Sequence, residues 1–275
     1  MLENKQEKLN LVIIQARMAS SRLPGKVLME VCPDKTILDL LIERVRLSKK
    51  VDQIVVATSN NEDDIAIINH CISNGYKVFK GDENDCLDRH YKCALSFEAS
   101  SISKIPSDVP FIDPILIDKN ISLFESGDFD FVSTIHPPTF PDGMDIETMT
   151  FEALETAWKN AKESYEREHT TPYIWDKPDL FKIGAIKSKQ DVDYFMKYRF
   201  TIDYQEDLDF MKMVYNKFIS KNIYFNCYEL VKFLDENPLI KDINKNYLGI
   251  NWYSKHIDQL KTFNPSKTKS INEQE

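Results

Sequence analysis

The stretch LVIIQARMASSRLPGK, residues 11–26, is where the predicted fold begins. Its first four residues form a short apolar, partly β-branched run that predicts a buried strand. The loop behind this strand carries Arg17, Arg22 and Lys26 among small residues, and residues 16–29 include no acidic side chain. Such a loop favours a polyphosphate ligand, because backbone N–H groups can approach the oxygens while the fixed cations neutralise them. We therefore predict a nucleoside triphosphate site.

This loop matches neither of the common phosphate-binding fingerprints. A P-loop requires a Lys-Ser/Thr pair, whereas Gly25-Lys26 is followed by Val27, and the dinucleotide fingerprint requires three glycines where only Gly25 is present. A surface loop with solvated arginines is the alternative interpretation. The rest of the chain has to decide between the two.

Composition limits the class of protein. The 275 residues (32.1 kDa) suffice for one α/β domain with a large core. The formal charge, 35 basic minus 44 acidic residues, is −9, and the pI is near 5.2. A general nucleic-acid surface would need a basic footprint, so we expect no nucleic-acid partner.

Cysteine and hydropathy patterns bear on the compartment. The five cysteines are odd in number and widely spaced, and none forms a C-x-x-C pair, so neither a disulfide framework nor a zinc site is indicated. The first residues are polar and charged, and no apolar run approaches the roughly 18 residues of a membrane span. We expect no membrane span and a cytoplasmic protein.

Strand and helix patterns alternate after the first loop. A helix over residues 36–49 precedes a buried strand over residues 51–58, and a second helix ends at Gly75, before a third strand over residues 76–80. This alternation predicts an α/β fold: a Rossmann-like, mostly parallel sheet with helices on both faces.

A fourth strand, residues 103–106, ends at Ser107-Asp108. Ligands of open parallel sheets bind beyond the carboxyl ends of the strands, so Asp108 should lie at the same rim as the first loop. A helix over residues 82–97 precedes this strand, and a fifth strand of the same kind is predicted over residues 129–134.

The pattern changes from residue 136. We interpret residues 136–180 as an insertion that leaves the sheet and covers the site. Returning strands over residues 182–186 and 200–203 and a helix over residues 205–218 complete a single domain, residues 1–262. Residues 263–275 lack apolar periodicity and predict a flexible polar tail.

Five stretches, in order along residues 11–218, resemble one family. They are IIQARMASSRLPGKVL, KGDENDCLDRHYKCA, IPSDVPFIDP, FPDGMDIETMTFEALETAW with EREHTTPYIW, and RFTIDYQEDLDFM. The family is the SpsF-like branch (spore coat polysaccharide biosynthesis protein F type) of the cytidylyltransferases that activate sugars, related to the CMP-sialic acid and CMP-Kdo synthetases. The resemblance implies the fold of the nucleotide-diphospho-sugar transferases.

The implied reaction is attack of an oxygen of a sugar, either a nonulosonate hydroxyl or a sugar phosphate, on the α-phosphorus of CTP, with release of pyrophosphate, for surface polysaccharide or glycan assembly. Charge develops on phosphate oxygens, so positioning and cations should dominate catalysis. The catalytic candidates are Arg17, Lys26 and Asp108. The implied nucleotide-binding residues are Ala16, Arg17, Ser20, Ser21, Arg22, Lys26, Gly81, Arg89 and Ser107.

A magnesium ion is the implied cofactor. Mg²⁺ takes hard oxygen ligands, usually one or two carboxylates plus substrate phosphates. Asp108 and Asp203 each follow a predicted strand, at positions where relatives hold the metal. Asp203 could instead cap the helix that begins at Gln205.

The acceptor should lie under the inserted segment. Asp142, Asp145 and Glu147 alternate and could meet sugar hydroxyls, while Arg167 and His169 could bind a carboxylate or a phosphate. His169 could also remove a proton from a sugar hydroxyl. Structural hydrogen bonding by the histidine, and surface pairing of the charges around Arg167, are the alternatives.

Other functions stay open at this point. Guanylyl transfer to a hexosamine phosphate uses the same chemistry, because no residue in the sequence identifies the base. A metal-dependent glycosyltransferase and a non-catalytic nucleotide-sugar sensor could share the fold. The relatives also suggest a homodimer formed through residues 137–146.

Overall fold

The computed structural model describes residues 9–189 and 192–269. Two sheets organise it. The strands are β1 (Asn10–Gln15), β2 (Glu30–Cys32), β3 (Lys35–Thr36), β4 (Gln53–Ser59), β5 (Lys77–Gly81), β6 (Ser101–Pro106), β7 (Phe131–Ser133), β8 (Glu147–Thr150) and β9 (Ile183–Ala185).

Helices pack around the larger sheet. They are α1 (Ile37–Val45), α2 (Ile65–Ser73), α3 (Cys86–Ser96), α4 (Pro114–Ser126), α5 (Phe151–Asn160), α6 (Ser164–His169), α7 (Pro172–Trp175), α8 (Gln205–Lys217), α9 (Cys227–Glu236) and α10 (Pro238–Lys241). None of the helices in the described part of the chain is long and apolar enough to cross a membrane.

The larger sheet has the strand order β5-β4-β1-β6-β8-β7-β9, and β2 and β3 form a separate antiparallel pair. Strands β5, β4, β1 and β6 run parallel, as do β7 and β9. The predicted mostly parallel α/β sheet is therefore confirmed.

Alternating side chains on β1 divide the core into two layers, as the two-residue period of a strand requires. Leu11 and Ile13 pack with α3 and α5 on one face of the sheet. Val12 and Ile14 pack with α1, α2 and α4 on the other. Each of these four side chains is fully buried. A third cluster joins α8 and α9 to Phe111.

Two expectations about the second half of the chain are wrong. Residues 200–203 are not a strand; they form a non-regular segment that Asp142 and Asp108 hold through backbone hydrogen bonds. The segment over residues 136–180 does not leave the sheet throughout, because β8 lies between β6 and β7 and runs antiparallel to both. A four-residue strand paired on both sides by distant segments carries too short a pattern to be detected from sequence.

The predicted polar tail begins at a packed residue. Phe263 is buried and stacks on Tyr253, with 3.9 Å between ring centroids. Lys269 donates its backbone N–H to the Gly249 carbonyl. Residues 270–275 lie outside the described residues, so a flexible tail there stays a prediction.

Arg44 on α1 ties the sheet layers to the C-terminal third of the chain. Its fully buried guanidinium donates to the carbonyls of Ile112 (3.0 Å), Phe225 (3.0 Å) and Ile223, and lies 3.6 Å from the Phe225 ring centroid. One side chain thus satisfies three backbone acceptors from two distant segments.

Replacement of Arg44 should show this directly. We expect Arg44→Ala to lower the free energy of unfolding by about 3 kcal/mol, because three buried carbonyls lose their donor. Urea denaturation measures the change. Arg46→Ala, at an exposed site one residue beyond the end of α1, should change it by less than about 0.5 kcal/mol. Equal effects of the two substitutions would contradict the assigned role.

Candidate active site

The rim of the sheet brings the first loop to the end of β6. β1 and β6 are parallel neighbours, with Gln15 opposite Pro106, so the loops behind both strands emerge side by side. The Ser107 N–H donates to the Gln15 carbonyl at 3.2 Å. The position predicted for Asp108 is confirmed.

The first loop is folded tightly against the sheet. Gly25 adopts a left-handed conformation (φ 73°), which a residue with a side chain rarely adopts, and donates its N–H to the Met18 carbonyl. The Met18 N–H in turn donates to Asp64 Oδ1 at 2.6 Å. This turn directs Lys26 inward.

Lys26 joins the two aspartates predicted to bind metal. Its Nζ lies 2.8 Å from Asp108 Oδ2 and 2.9 Å from Asp203 Oδ1, and also donates to the Ile202 carbonyl. Burial opposes the charge on this ammonium, but Asp108 and Asp203 outweigh burial and raise the pKa of Lys26. Residues 26, 108 and 203, far apart in sequence, therefore meet at one point.

A cluster of cations surrounds Asp203. Arg22 Nη2 lies 2.7 Å from Oδ1, and Arg199 Nη2 lies 2.9 Å from Oδ2. Burial raises the pKa of Asp203, but Lys26, Arg22 and Arg199 together lower it to about 2. The carboxylate is ionised across the neutral range.

The hydrogen bonds of Asp207 show that this residue, and not Asp203, caps α8. The Asp207 carboxylate accepts the backbone N–H groups of Asp203 (2.9 Å) and Tyr204 (3.0 Å), and so caps α8 itself. The Asp203 side chain is therefore directed to the cations and not to the helix end.

Arg199 was not singled out from the sequence. It is 1% exposed and contacts three carboxylates, with Nε 2.9 Å from Asp207 Oδ1, Nη2 2.9 Å from Asp203 Oδ2 and Nη1 3.4 Å from Asp142 Oδ2. In the sequence, Arg199 is only the first residue of the stretch RFTIDYQEDLDFM. Its role depends on carboxylate partners that only the tertiary structure brings together.

A cleft of about 650 Å³ opens above this cluster. Most of the residues singled out from the sequence line it. They are Ala16, Arg17, Ser20, Ser21, Arg22, Lys26, Arg89, Ser107, Asp108, Asp142, Asp145, Glu147, His169 and Asp203.

Two predicted site residues do not line this cleft. Arg167 binds the Asp85 carboxylate with Nε (2.9 Å) and Nη2 and donates to the Trp158 carbonyl, so it fixes α6 to the start of α3. Gly81 lies beneath Arg89, where an added Cβ would come within 2.8 Å of the Arg89 Cγ. The structure therefore does not support the predicted contact of Arg167 with the acceptor or of Gly81 with the nucleotide.

Arg17 and Arg89, the other two arginines predicted to bind the nucleotide, differ in how far their side chains are held by contacts. The Arg17 side chain is half exposed and its nearest carboxylate is that of Glu168, at 3.8 Å. Arg89 is buried, with Nη1 bound to the Asp82 carbonyl at 2.7 Å. Arg17 is thus free to turn toward a ligand, whereas Arg89 is held in place.

Three carboxylates form an acidic row along the cleft. Burial raises the pKa of Asp142 to about 7; Arg199 opposes this shift, and the charges of Asp203 and other aspartates add to it. Burial also raises the pKa of Asp145 well above its usual value. Glu147 is bound to Lys104 at 2.6 Å and accepts the Thr171 hydroxyl, so it is already partnered.

His169 is held against an aromatic ring. Its imidazole stacks on Trp252, with 3.7 Å between centroids and 18° between planes. Burial, and then the charges of Lys104 and other nearby cations, hold the pKa of His169 well below its usual value. The imidazole is neutral at pH 7, so it can donate or accept a hydrogen bond but carries no charge to an anion.

The donor set at Lys26 fits a hard divalent cation. No group of three or more His, Cys, Asp or Glu side chains converges as a ready-made metal site within residues 9–189 and 192–269. Asp108 and Asp203, however, place one carboxylate oxygen each within 3 Å of a common cation, the Lys26 ammonium. Two such oxygens plus substrate phosphates are a usual Mg²⁺ ligand set.

The pKa of Asp142 generates a pH prediction. The pKa of the Asp142 carboxyl rises from 3.8 to about 7 on folding. Its contribution to the free energy of unfolding therefore falls as pH rises through that interval. The free energy of unfolding of Asp142→Asn minus that of wild type should therefore rise by on the order of 2–4 kcal/mol between pH 4 and pH 7. Urea denaturation across this range measures it. Asp258→Asn, at an exposed site, should show no such trend, and a constant Asp142→Asn difference would contradict the assignment.

Comparisons with known proteins identify the family. A family model described as cytidylyltransferase matches residues 11–236. The spore coat polysaccharide biosynthesis protein SpsF of Bacillus subtilis is 35% identical over 83% of this chain and 95% of that protein. The 8-amino-3,8-dideoxy-manno-octulosonate cytidylyltransferase of Shewanella pealeana is 33% identical over 44% of this chain and 51% of that protein. The structure of a cytidylyltransferase from Leptospira borgpetersenii has a TM-score of 0.78 and 32% identity, covering 85% of this chain and 97% of that one.

Proposed function

Since this chain belongs to the cytidylyltransferase family, we propose that it transfers CMP from CTP to an acidic sugar and releases pyrophosphate. The observation that carries the proposal is the convergence of Lys26, Asp108 and Asp203 in a cleft that Arg17 and Arg22 also line. A sugar oxygen attacks the α-phosphorus of CTP, and the bond to the β-phosphate oxygen breaks.

The basic side chains neutralise the charge that develops. Arg22 and Lys26 are paired with Asp203. When a triphosphate enters, its oxygens offer these cations new partners, and the pairing with carboxylate is exchanged for pairing with phosphate. The half-exposed Arg17 can approach the same oxygens from its loop. Preorganised charges of this kind stabilise the transition state without covalent chemistry.

A magnesium ion belongs to the proposal as cofactor. Asp108 and Asp203 would hold it, and when bound it would neutralise charge on the phosphate oxygens and the leaving pyrophosphate. Arg199 keeps the Asp203 carboxylate oriented through its 2.9 Å contact to Oδ2, leaving Oδ1 directed toward Lys26.

The acceptor class follows from the relatives and from the cleft. One relative acts, by its name, on an octulosonate, which is a sugar acid. Asp142 and Asp145 line the cleft, and burial raises the pKa of both carboxyls. With a pKa of about 7, Asp142 is partly protonated near neutrality and can both donate and accept hydrogen bonds with sugar hydroxyls. We place the sugar hydroxyls along this acidic row and extend the role to surface polysaccharide or glycan assembly, by analogy with SpsF.

The homodimer and the cytoplasmic location stay predictions. Residues 137–146 are mostly buried within the chain itself, with Pro137 as an exposed member. This segment alone offers little surface for a second copy. Light scattering decides the oligomeric state, and a monomer would refute the predicted homodimer.

A pyrophosphate-release screen tests the reaction. The protein is supplied with Mg²⁺, each of the four nucleoside triphosphates in turn, and a panel of nonulosonates, octulosonates and sugar phosphates. We expect release with CTP and a sugar acid. Release with GTP and a hexosamine phosphate alone would support guanylyl transfer instead, and nucleotide binding without any release would support a sensor.

Asp108→Asn tests the metal and triphosphate cluster. Loss of one carboxylate charge should reduce turnover at least about 100-fold, because a group acting on transition-state charge is removed. The melting temperature should change little, since Asp108 is partly exposed and Lys26 keeps Asp203 as partner. Asp179→Asn, at an exposed site outside the cleft lining, is the control. Turnover close to wild type in Asp108→Asn would end the assignment.

A further inference from the structure

One wall of the cleft is built from a segment beyond the family-model match. The match ends at residue 236, yet residues 250–256, here called the C-terminal wall, line the cleft along their whole length. The sequence INWYSKH carried no recognised motif. Its position in the cleft follows from the tertiary structure alone.

The C-terminal wall is held at its start, at its middle and through the chain that follows it. At its start, Arg199 Nη1 donates to the Ile250 carbonyl at 2.9 Å, which couples the wall to the Asp203 cluster. At its middle, Tyr253 is buried and stacks on Phe263. Farther along the chain, the Lys261 and Thr262 N–H groups donate to the Asp176 carboxylate behind α7. The wall is thus a built surface and not a loose loop.

The wall faces the acidic row. Tyr253 lines the same cleft as Asp142, Asp145 and Glu147. Burial raises the pKa of Tyr253, and the charges of these three carboxylates raise it further. An acceptor whose hydroxyls contact the acidic row therefore lies against the C-terminal wall. The triphosphate cations Arg22 and Lys26 are instead gathered at Asp203.

Positive charge collects at the far end of the wall. Lys104, Arg17 and Lys255 line the cleft together with His169, whose ring stacks on Trp252. After burial, the charges of these cations lower the pKa of His169. Lys104 is already paired with Glu147 at 2.6 Å, and Arg17 has Glu168 at 3.8 Å. Over the described residues, Lys255 makes no salt bridge, although it borders the cleft.

We infer that the C-terminal wall selects the acceptor, with Lys255 pairing to its anionic group and Trp252 positioning His169 beside it. The ligand class is a sugar that carries a carboxylate or a phosphate. This inference rests on the proposed function for its place in the reaction. Binding of the anion needs no turnover, so the two can fail separately.

Steady-state kinetics on the full chain test the wall. We expect Lys255→Ala to raise the acceptor KM about tenfold, equivalent to about 1.4 kcal/mol, while the CTP KM and the melting temperature stay within twofold and 2 °C of wild type. Lys255→Arg should restore the acceptor KM. Lys261→Ala, which removes an exposed charge outside the cleft lining, is the matched control. An unchanged acceptor KM in Lys255→Ala would overturn the inference.

Salt dependence supplies a second readout. The acceptor KM of wild type should rise between 50 and 300 mM salt as the charge pair is screened, and that of Lys255→Ala should rise less. Parallel assays with an octulosonate and with a sugar 1-phosphate show which anion is selected. Equal salt slopes in wild type and Lys255→Ala would count against an ion pair at this residue.

Direct binding separates this inference from the proposed function. Titration of the octulosonate or the sugar 1-phosphate into CTP-free protein is followed by tryptophan fluorescence, because Trp252 lies in the wall. Saturable binding that Lys255→Ala weakens supports the wall even if no pyrophosphate is ever released. Turnover in wild type without any effect of Lys255→Ala on binding overturns the wall alone, and absence of binding of both probes to wild type also overturns it.

Discussion

The contact of the Lys26 ammonium with Asp108 and Asp203 is the interaction on which the site depends. It joins the first loop, the end of β6 and the segment before α8 at distances of 2.8 and 2.9 Å. A buried ammonium is costly unless carboxylates surround it, and buried carboxylates need cations in turn. The same charges suit a triphosphate with its metal ion, so the groups that stabilise one another in the fold are those that the proposed reaction requires.

Arg199 extends this cluster through the second half of the chain. Its guanidinium contacts Asp203, Asp207 and Asp142 and donates to the Ile250 carbonyl. The planar, five-donor guanidinium makes such multiple contacts possible, which a lysine could not reproduce. Through this one side chain, the proposed metal site, the cap of α8, the acidic row and the C-terminal wall share a common support. The charged groups of the cleft come from five separate segments of the chain, and Arg199 links them to one another.

Much of the architecture was predictable, and the failures have physical reasons. β1, β4 and β6 are largely buried strands of six or seven residues, and β1 and β4 each contain a four-residue apolar run that marks the strand in the sequence. β8 spans four residues with paired neighbours on both sides, and residues 200–203 follow an apolar pattern without ladder hydrogen bonds. The charge of Arg167 predicts contact with the acceptor, yet Asp85, 82 positions earlier, binds it. Local patterns cannot reveal a partner at that separation.

The parallel strands β1, β4, β5 and β6, the basic first loop and the placement of Asp108 at the rim all follow from the sequence, because strand period and parallel order place strand ends together. It also marked most of the residues that line the cleft. Three features depend on the three-dimensional arrangement: Asp207 caps α8 while Asp203 faces Lys26, Arg199 contacts three carboxylates, and residues 250–256 form one wall of the cleft. Those outcomes depend on distances between side chains far apart in the chain, and on burial, which sets their charge states.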